Sequence, residues 1–510
     1  MRSLRRLLFE PRSAVGRGPR TILTAALGAY LAAGAPQAPA APVAAAVGTG
    51  SAADRMPPAA QQKLARDIFK ELIEINTTHE FGSTRAAEAL AAHLRAAGFA
   101  PADAQVLGPR PDKGNLVARL RGNGSGKPIL FLSHLDVVEA RREDWSTDPF
   151  SFIERDGYFY GRGTSDVKGE VADLVANLIR LRQEKFTPAR DLIVALTADE
   201  EAGGDANGVI WLLENHRHLI DAEFVINTDA GGAVLRNGQR TLNPVQTSEK
   251  VYLSFRLEVK SPGGHSSMPG RDNAIYRLAA GLTRLEQHHF PVRLNDTTRL
   301  YFKKMAERES GRMRSDMTAV TRNPPDPRAV ARLAELPYYN GMMRTTCVAT
   351  MLEAGHAENA LPQTAVATLQ CRLLPDDPPG EVRAALVAAL ADERIGVTPM
   401  GEAVASPASP ASESILGPIE KVTAAMWPGV TVAPVMDPWS TDGIHPRRAG
   451  IPVYGVSGMF IDVDDVRAHG KDERLGVQSF YEGVEFMYRL MKVLSSQDRP
   501  GSPEASPPST

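Results

Sequence analysis

Three carboxylates stand side by side in Thr197-Ala198-Asp199-Glu200-Glu201, directly after the apolar run "LIVAL" of residues 192–196. Like charges held this closely repel unless a cation or solvent compensates them. Other chemistry-bearing clusters share that placement. "SHLD" (Ser133 to Asp136) follows "PILFL", and "TDAGG" (Thr228 to Gly232) follows "EFVIN". Asp166 lies in the glycine-rich "GRGTSDVKG", just ahead of a helical pattern, and His469 lies in "RAHGKDER" beyond "IPVYGV". Together His134, Asp166, Glu201, Asp229 and His469 form a mixed imidazole and carboxylate set suited to zinc or a similar divalent ion. Two ions sharing one carboxylate would neutralise the crowd of acids. Singly, each residue has a plainer explanation: a hydrogen-bonded strand-end histidine, a turn-forming Asp229, an Asp166 helix cap, a solvated His469, a wet Glu200-Glu201 pair. What favours a common centre is that the clusters recur at strand ends.

The elements that must position them are legible as patterns. "NLVARL", "PILFL", "LIVALT" and "EFVIN" read as strands, separated by helical stretches such as "GEVADLVANLIRLRQE" and "GVIWLLENHRHL". This alternation predicts an α/β domain with a mixed, mostly parallel sheet and helices on both faces. In such sheets the carboxyl ends of the strands line the ligand crevice. From about residue 248 the character changes to an alternating strand "VYLSFRLEV", a helix "NAIYRLAAGLTRLEQHH", a strand "VATLQCRLL" and a helix "EVRAALVAALADE". These predict a smaller α+β domain with an antiparallel sheet over 248–403, inserted between catalytic parts at 57–247 and 412–494. Its middle, about 291–345, is polar and rich in Arg and Pro and reads as an irregular insertion. A Ser/Pro/Ala hinge follows at 405–414, and 495–510 has the composition of a disordered tail.

The chain has 510 residues, 43% hydrophobic and 23% charged, with a formal net charge of -2, so it can bury a large core, and its charge balance gives no basis for a surface that binds nucleic acid. Arg2, Arg5, Arg6, Arg12, Arg17 and Arg20 precede "TILTAALGAYLAAGA" and a tract of small residues, the order of a secretory leader occupying residues 1–46. Export to the periplasm or medium is therefore expected, with no stable membrane insertion, because the apolar stretch is short for a span. Cys347 and Cys371 are the two cysteines; they read as two buried thiols, with a single bridge open to an exported chain. "GNGSGKP" is one residue short of a phosphate loop, and neither HExxH nor G-x-S-x-G occurs.

In order, "SHLDVV", "GRGTSDVKG", "TADEEAGG", "NTDAGG", "SPGGHSSMP" and "AHGKDER" resemble the di-zinc aminoacylase/carboxypeptidase family, over about residues 60–493. The family includes glutamate carboxypeptidase, acetylornithine deacetylase, succinyl-diaminopimelate desuccinylase, carnosinase and carboxypeptidase S. The resemblance implies two divalent ions, zinc foremost with cobalt or manganese as alternatives. His134 and Asp229 would hold one, Glu201 and His469 the other, and Asp166 would bridge them. Asp136 would orient and polarise His134. Glu200 would be the general base that takes a proton from the attacking water and passes it to the leaving amine. His265 matches a histidine that stabilises the developing oxyanion, commonly from the partner subunit of a homodimer, and Asn359 and Arg372 match the lid's substrate-binding pair. His445, in "STDGIHPRR", departs from smaller relatives and stands as a candidate substrate contact. The expected activity is cleavage of an amide bond in a small peptide or N-acyl amino acid. The competing readings are an N-acyl amino acid deacylase rather than a peptidase, and a non-catalytic peptide-binding protein on the same fold.

Overall fold

The computed structural model describes residues 55–202, 204 and 206–496. The expected leader over residues 1–46 and the expected tail beyond residue 496 lie outside these. Strands 115–120, 129–134, 192–197 and 224–227 sit side by side in a ten-stranded sheet. Strand Ile129–His134 runs parallel to both Leu192–Thr197 and Phe224–Asn227, while Asn115–Leu120 pairs antiparallel with Leu192–Thr197. The sheet is therefore mixed, with parallel strands at its centre.

Period-two patterning explains why helices cover both faces. Ile129, Phe131, Leu192, Val194 and Leu196 point into one core, packed with helices Ala59–Glu74, Lys168–Gln183, Glu413–Met426 and Val477–Ser495. The intervening Leu130, Leu132, Ile193 and Ala195 enter a second core with Val209 and Leu212 of helix Gly208–Asn215. "GVIWLLENHRHL" divides into two helices, 208–215 and 217–220, rather than one.

The second sheet has four strands, in the order Thr346–Ala354, Thr364–Leu373, Val251–Lys260, Gly396–Met400, and all its pairings are antiparallel. Helices Ala274–Glu286 and Pro379–Leu390 pack Leu278 and Leu386 against Leu253, Phe255 and Leu369 on one face of it. The stretch 291–345 differs from the expected irregular insertion. It holds four helices, 296–308, 311–320, 327–333 and 337–343. Their apolar positions Tyr301, Phe302, Met317, Val320 and Leu333 lie against Leu242, Ala433 and Val435 of the large sheet. The Arg and Pro content masked them, because those residues occupy the outer faces and the ends; Asn295 and Asp326 cap two of the helices by accepting backbone N–H groups. The Ser/Pro/Ala stretch is irregular but pinned: Ser409 N–H donates to the Thr247 carbonyl, and its hydroxyl accepts from the Val453 N–H at 2.8 Å.

Cys347 and Cys371 face each other across paired strands and form a disulfide, not two thiols. Cys347 and Cys371 are 24 residues apart in the chain. Closing a loop of that length removes about 3 kcal/mol of unfolded-chain entropy in the simplest model. A Cys347→Ala/Cys371→Ala double variant is expected to lose about that much unfolding free energy in a denaturant titration against the oxidised parent.

Among the described residues no helix is long and apolar enough to cross a membrane.

Candidate metal centre

Parallel pairing brings three of the clusters together. His134 ends its strand opposite Thr197, and Leu132 pairs with Asn227, so "SHLD", "TADEE" and "NTDAGG" emerge at one edge of the sheet. Gly231 of "TDAGG" must be glycine: its φ is +69°, and a Cβ there would lie 2.2 Å from the Gly455 carbonyl oxygen.

His134 is fully buried. Its Nδ1 lies 3.0 Å from the Asp136 carbonyl oxygen, which fixes that nitrogen as a donor and turns Nε2 toward Asp166 Oδ1 at 3.3 Å and Asp229 Oδ1 at 3.6 Å. On the other side His469 Nε2 sits 3.0 Å from Asp166 Oδ2 and 2.9 Å from Glu201 Oε1. Asp166 thus offers one carboxylate oxygen to each histidine. Three groups have donor atoms mutually within 4.8 Å: His134, Asp166 and Asp229; Asp166, Glu201 and His469; and His134, Glu200 and Glu201. The neighbouring Glu200 and Glu201 diverge so that Glu201 reaches His469 while Glu200 stays on the His134 side. The His469 side chain is 54% exposed, against 2% for His134, so the centre opens on the His469 side.

The electrostatics call for cations. His469 is pushed up to about 10 by the hydrogen bonds it donates to Asp166 and Glu201. Burial opposes protonation of His134, yet Asp229, Asp136 and Asp166 outweigh it and hold its pKa well above the ordinary value. Glu200 is pushed well above the usual carboxylate range by burial, then by Asp229, Asp442 and Glu201. A pocket that would draw protons onto two imidazoles is short of positive charge. Two imidazole nitrogens and four carboxylates on a short path form a donor set that fits divalent ions.

Asp136 touches His134 and also holds the loop that carries the two glutamates. Its main-chain carbonyl, not its carboxylate, makes the closer contact with His134, the carboxylate being 3.5 Å away. The two carboxylate oxygens also accept the backbone N–H groups of Glu200 and Glu201 at 3.1 and 3.0 Å, fixing the loop that carries both acids. Asp199, the first acid of the triplet, is not part of the centre at all. It adopts a left-handed φ of +55° and pairs at 2.7 Å with Lys113, which is 1% exposed and also donates to the His79 carbonyl. The triplet is therefore neutralised in two ways, Asp199 by a buried lysine and the glutamates at the donor cluster.

Several supporting residues escaped the sequence reading. Glu473, fully buried, accepts the backbone N–H groups of Gly163, Ser165 and Asp166 at 2.9, 2.8 and 3.1 Å and pairs with Arg162 at 2.6 Å. Arg162 Nη2 in turn donates to the carbonyls of His469 and Gly470 at 3.4 and 3.1 Å. One buried ion pair therefore ties the Asp166 turn to the His469 loop. Both residues lie inside quoted motifs, "GRG" and "KDER", but their burial is not visible in sequence. Glu473→Gln keeps the shape and removes the charge. It is expected to weaken metal affinity about 10- to 100-fold by competition against a chelator, the range for loss of an outer-shell partner. Asp442 is likewise buried, accepting from Thr197 Oγ1 at 3.2 Å and Asn207 Nδ2 at 2.6 Å; burial pushes its pKa up to about 7.

The remaining candidates make other contacts. His445 sits 3.8 Å from Asp442, and burial, then Arg448, lower its pKa to about 4. His265 and Asn359 come together on the exposed pair of strands Gly264–His265 and Ala360–Leu361, where the Ser266 N–H donates to the Asn359 carbonyl and His265 Nδ1 lies 2.8 Å from Ser267 Oγ. Arg372, on the second sheet, lies with its guanidinium 4.8 Å from the Tyr252 ring centre. Among the described residues no hydrogen bond or ion pair joins these three to His134, Asp166, Glu201, Asp229 or His469.

The sequence and the fold have known relatives. The family model described as Peptidase family M20/M25/M40 matches residues 130–493. The chain is 29% identical over 386 residues to the human N-fatty-acyl-amino acid synthase/hydrolase PM20D1, covering 74% of this chain and 76% of that protein. It is 29% identical over 377 residues to a probable carboxypeptidase S-like 2 of Dictyostelium discoideum, covering 72% and 71%. Its fold matches the M20 family metallo-carboxypeptidase Sso-CP2 of Sulfolobus solfataricus with a TM-score of 0.62 at 17% identity, over 84% of this chain and 99% of that one. It also matches Bacillus subtilis YXEP, described as a dinuclear metal binding peptidase, with a TM-score of 0.54 at 12% identity, over 86% and 99%. The conjunction of strand-end donors, a shared aspartate and a match to the family across most of the chain makes this protein a member of peptidase family M20/M25/M40, a metal-dependent amide hydrolase.

Proposed function

We propose that the chain is an exported hydrolase that holds two zinc ions and cleaves the amide bond of a small substrate ending in a free carboxylate, either an N-acyl amino acid or a short peptide. The observation that carries the reading is Asp166, one oxygen facing each histidine, with Glu200 beside them. His134 and Asp229 would hold one ion, Glu201 and His469 the other, with Asp166 between. Bound there, the ions supply the Lewis acidity that makes a water nucleophilic near neutral pH and polarises the scissile carbonyl. Glu200 takes the proton from the attacking water and delivers it to the departing nitrogen, so the products are a carboxylate and an amine. Asp136 keeps Glu200 and Glu201 in register through their amides, and Glu473 keeps Asp166 and His469 in register through the Arg162 pair.

Arg372 supports a substrate carboxylate. Its guanidinium is half-buried against Tyr252, and burial lowers its pKa, so an anion is the group that would complete its surroundings. Asn359 would contact the same end of the substrate and His445 the region beside Asp442. His265, exposed and separate from the chain's own donor cluster, suits an oxyanion contact made to a second copy in a homodimer. The leader, with its arginines ahead of a short apolar stretch, supports export.

The relatives include both an N-fatty-acyl-amino acid hydrolase and a probable carboxypeptidase, so the acyl half of the substrate is the open choice between them. Zinc-loaded protein assayed on matched pairs, such as N-decanoyl-phenylalanine against alanyl-phenylalanine, separates the two. A higher kcat/KM on the acyl substrate assigns a deacylase, a higher one on the dipeptide assigns a carboxypeptidase, and turnover of neither class overturns the proposal.

A further inference from the structure

Beside the four-stranded sheet lies a cavity of about 500 Å³ that shares no residue with the donor cluster, between the end of helix Ala274–Glu286, the start of strand Thr346–Ala354 and Arg344. That volume is typical of small-molecule sites, roughly 300–1,000 Å³. Its apolar lining comes from Leu282, Leu285, Leu369 and Leu386, backed by the disulfide at Cys347.

Two nitrogens among the lining residues are buried without a hydrogen-bond partner: His288 Nε2 and Arg344 Nε. Both belong to side chains gathered around Phe290. The His288 ring packs edge-on to the Phe290 ring at 4.9 Å, and Arg344 Nη1 donates to the Phe290 carbonyl at 3.1 Å. A buried Arg Nε–H can only donate, so it stands desolvated with nothing to offset the loss. Glu286 is the acid of the lining and is exposed; no ion pair joins it to Arg344 among the described residues. What would complete these two nitrogens is an acceptor with negative charge, set at one end of a largely apolar, half-open cleft.

We propose that this cavity is a second ligand site, taking a medium-chain carboxylate whose head group accepts from Arg344 and His288 and whose alkyl tail lies among the leucines. Charge complementarity selects the anionic head, because among the described residues no ion pair joins Arg344 to an acid. The four leucines select the tail, since burying it removes apolar surface from water on both sides. The site is distinct from any product site at the metal centre: its lining shares no residue with the donor set or with Asp136 and Glu200.

The test is calorimetric titration of decanoate into full-length, metal-loaded protein. Wild type is expected to bind saturably. Arg344→Met should weaken that binding at least about tenfold, the effect of losing a charge-assisted hydrogen bond. This change leaves the Arg344 carbonyl free to keep its 2.7 Å bond from Lys250 Nζ, so the crossing between the two sheets is undisturbed. Leu285→Trp should abolish binding by filling the chamber, and thermal midpoints near wild type verify that both variants fold. Absence of binding in wild type overturns the proposal, as does binding that survives both substitutions, which would place decanoate at the catalytic cleft. Occupation by a second copy of the chain, seen as a dimer weakened by Leu285→Trp with no heat from decanoate, overturns it too. The readout is binding rather than turnover, so its failure leaves the hydrolase reading standing.

Discussion

Glu200→Gln is expected to lower kcat by about 10²- to 10⁴-fold while metal content stays at the wild-type value. The two halves of this result come from different contacts. The loop position of residue 200 is set by its backbone N–H on Asp136, which the substitution leaves intact, and the donor groups that exclude Glu200 retain all their members. What disappears is the proton acceptor. A glutamine amide fills the same space, but it cannot take a proton from the attacking water and return it to the leaving nitrogen. KM should change little, because the contacts that would read the substrate carboxylate lie elsewhere. Steady-state kinetics alongside elemental analysis of the same preparation checks both halves. Loss of metal in parallel with activity would make Glu200 a ligand instead.

Asp166→Asn should be more damaging still, removing the metal and the activity together. Its two carboxylate oxygens face different histidines, Oδ1 toward His134 and Oδ2 toward His469, so one side chain serves both halves of the cluster. Asparagine keeps the shape and its backbone bond to Glu473 but offers a single neutral oxygen. Losing an outer-shell partner costs metal affinity about 10- to 100-fold, and removing a shared ligand should exceed the upper figure. Equilibrium dialysis of the variant against zinc gives the stoichiometry directly. A variant that still holds two ions with native affinity would remove Asp166 from the bridging role.

The contrast between these residues and those of the second sheet explains what the sequence could convey. His134, Asp229, Glu200 and Glu201 follow strands whose apolar runs are unmistakable, and parallel packing of adjacent strands places their ends together as a matter of geometry. Asp166 and His469 were legible as residue types in glycine-bearing loops, but nothing local says that a buried glutamate four residues after His469 holds the Asp166 turn. That contact spans 307 residues of chain. Asp136 shows the same limit: its proximity to His134 is written in the spacing, whereas its grip on the amides of Glu200 and Glu201 depends on how two strands abut. Asp199 was indistinguishable from its neighbours until Lys113 appeared beside it, contributed by a different strand's approach.

The helices of 296–343 were hidden for a compositional reason. Arginines and prolines on their outer faces and ends outweighed the apolar positions that meet the large sheet. The cysteines were ambiguous because pairing depends on register, and register across Thr346–Ala354 and Thr364–Leu373 includes a bulge that no local pattern announces. For His265, Asn359 and Arg372 the motif gave identity without distance. They lie on the four-stranded sheet and the two-stranded pair, and among the described residues no hydrogen bond or ion pair ties them to the donor cluster.

The most direct test of the central claim is the metal stoichiometry of the purified full-length protein, measured by mass spectrometry before and after chelation and reloading with zinc. Two equivalents per chain, with amide hydrolysis lost on chelation and restored by zinc, is the predicted result. Full hydrolytic activity in protein stripped of divalent metal, or saturation at a single equivalent in the active enzyme, would contradict it.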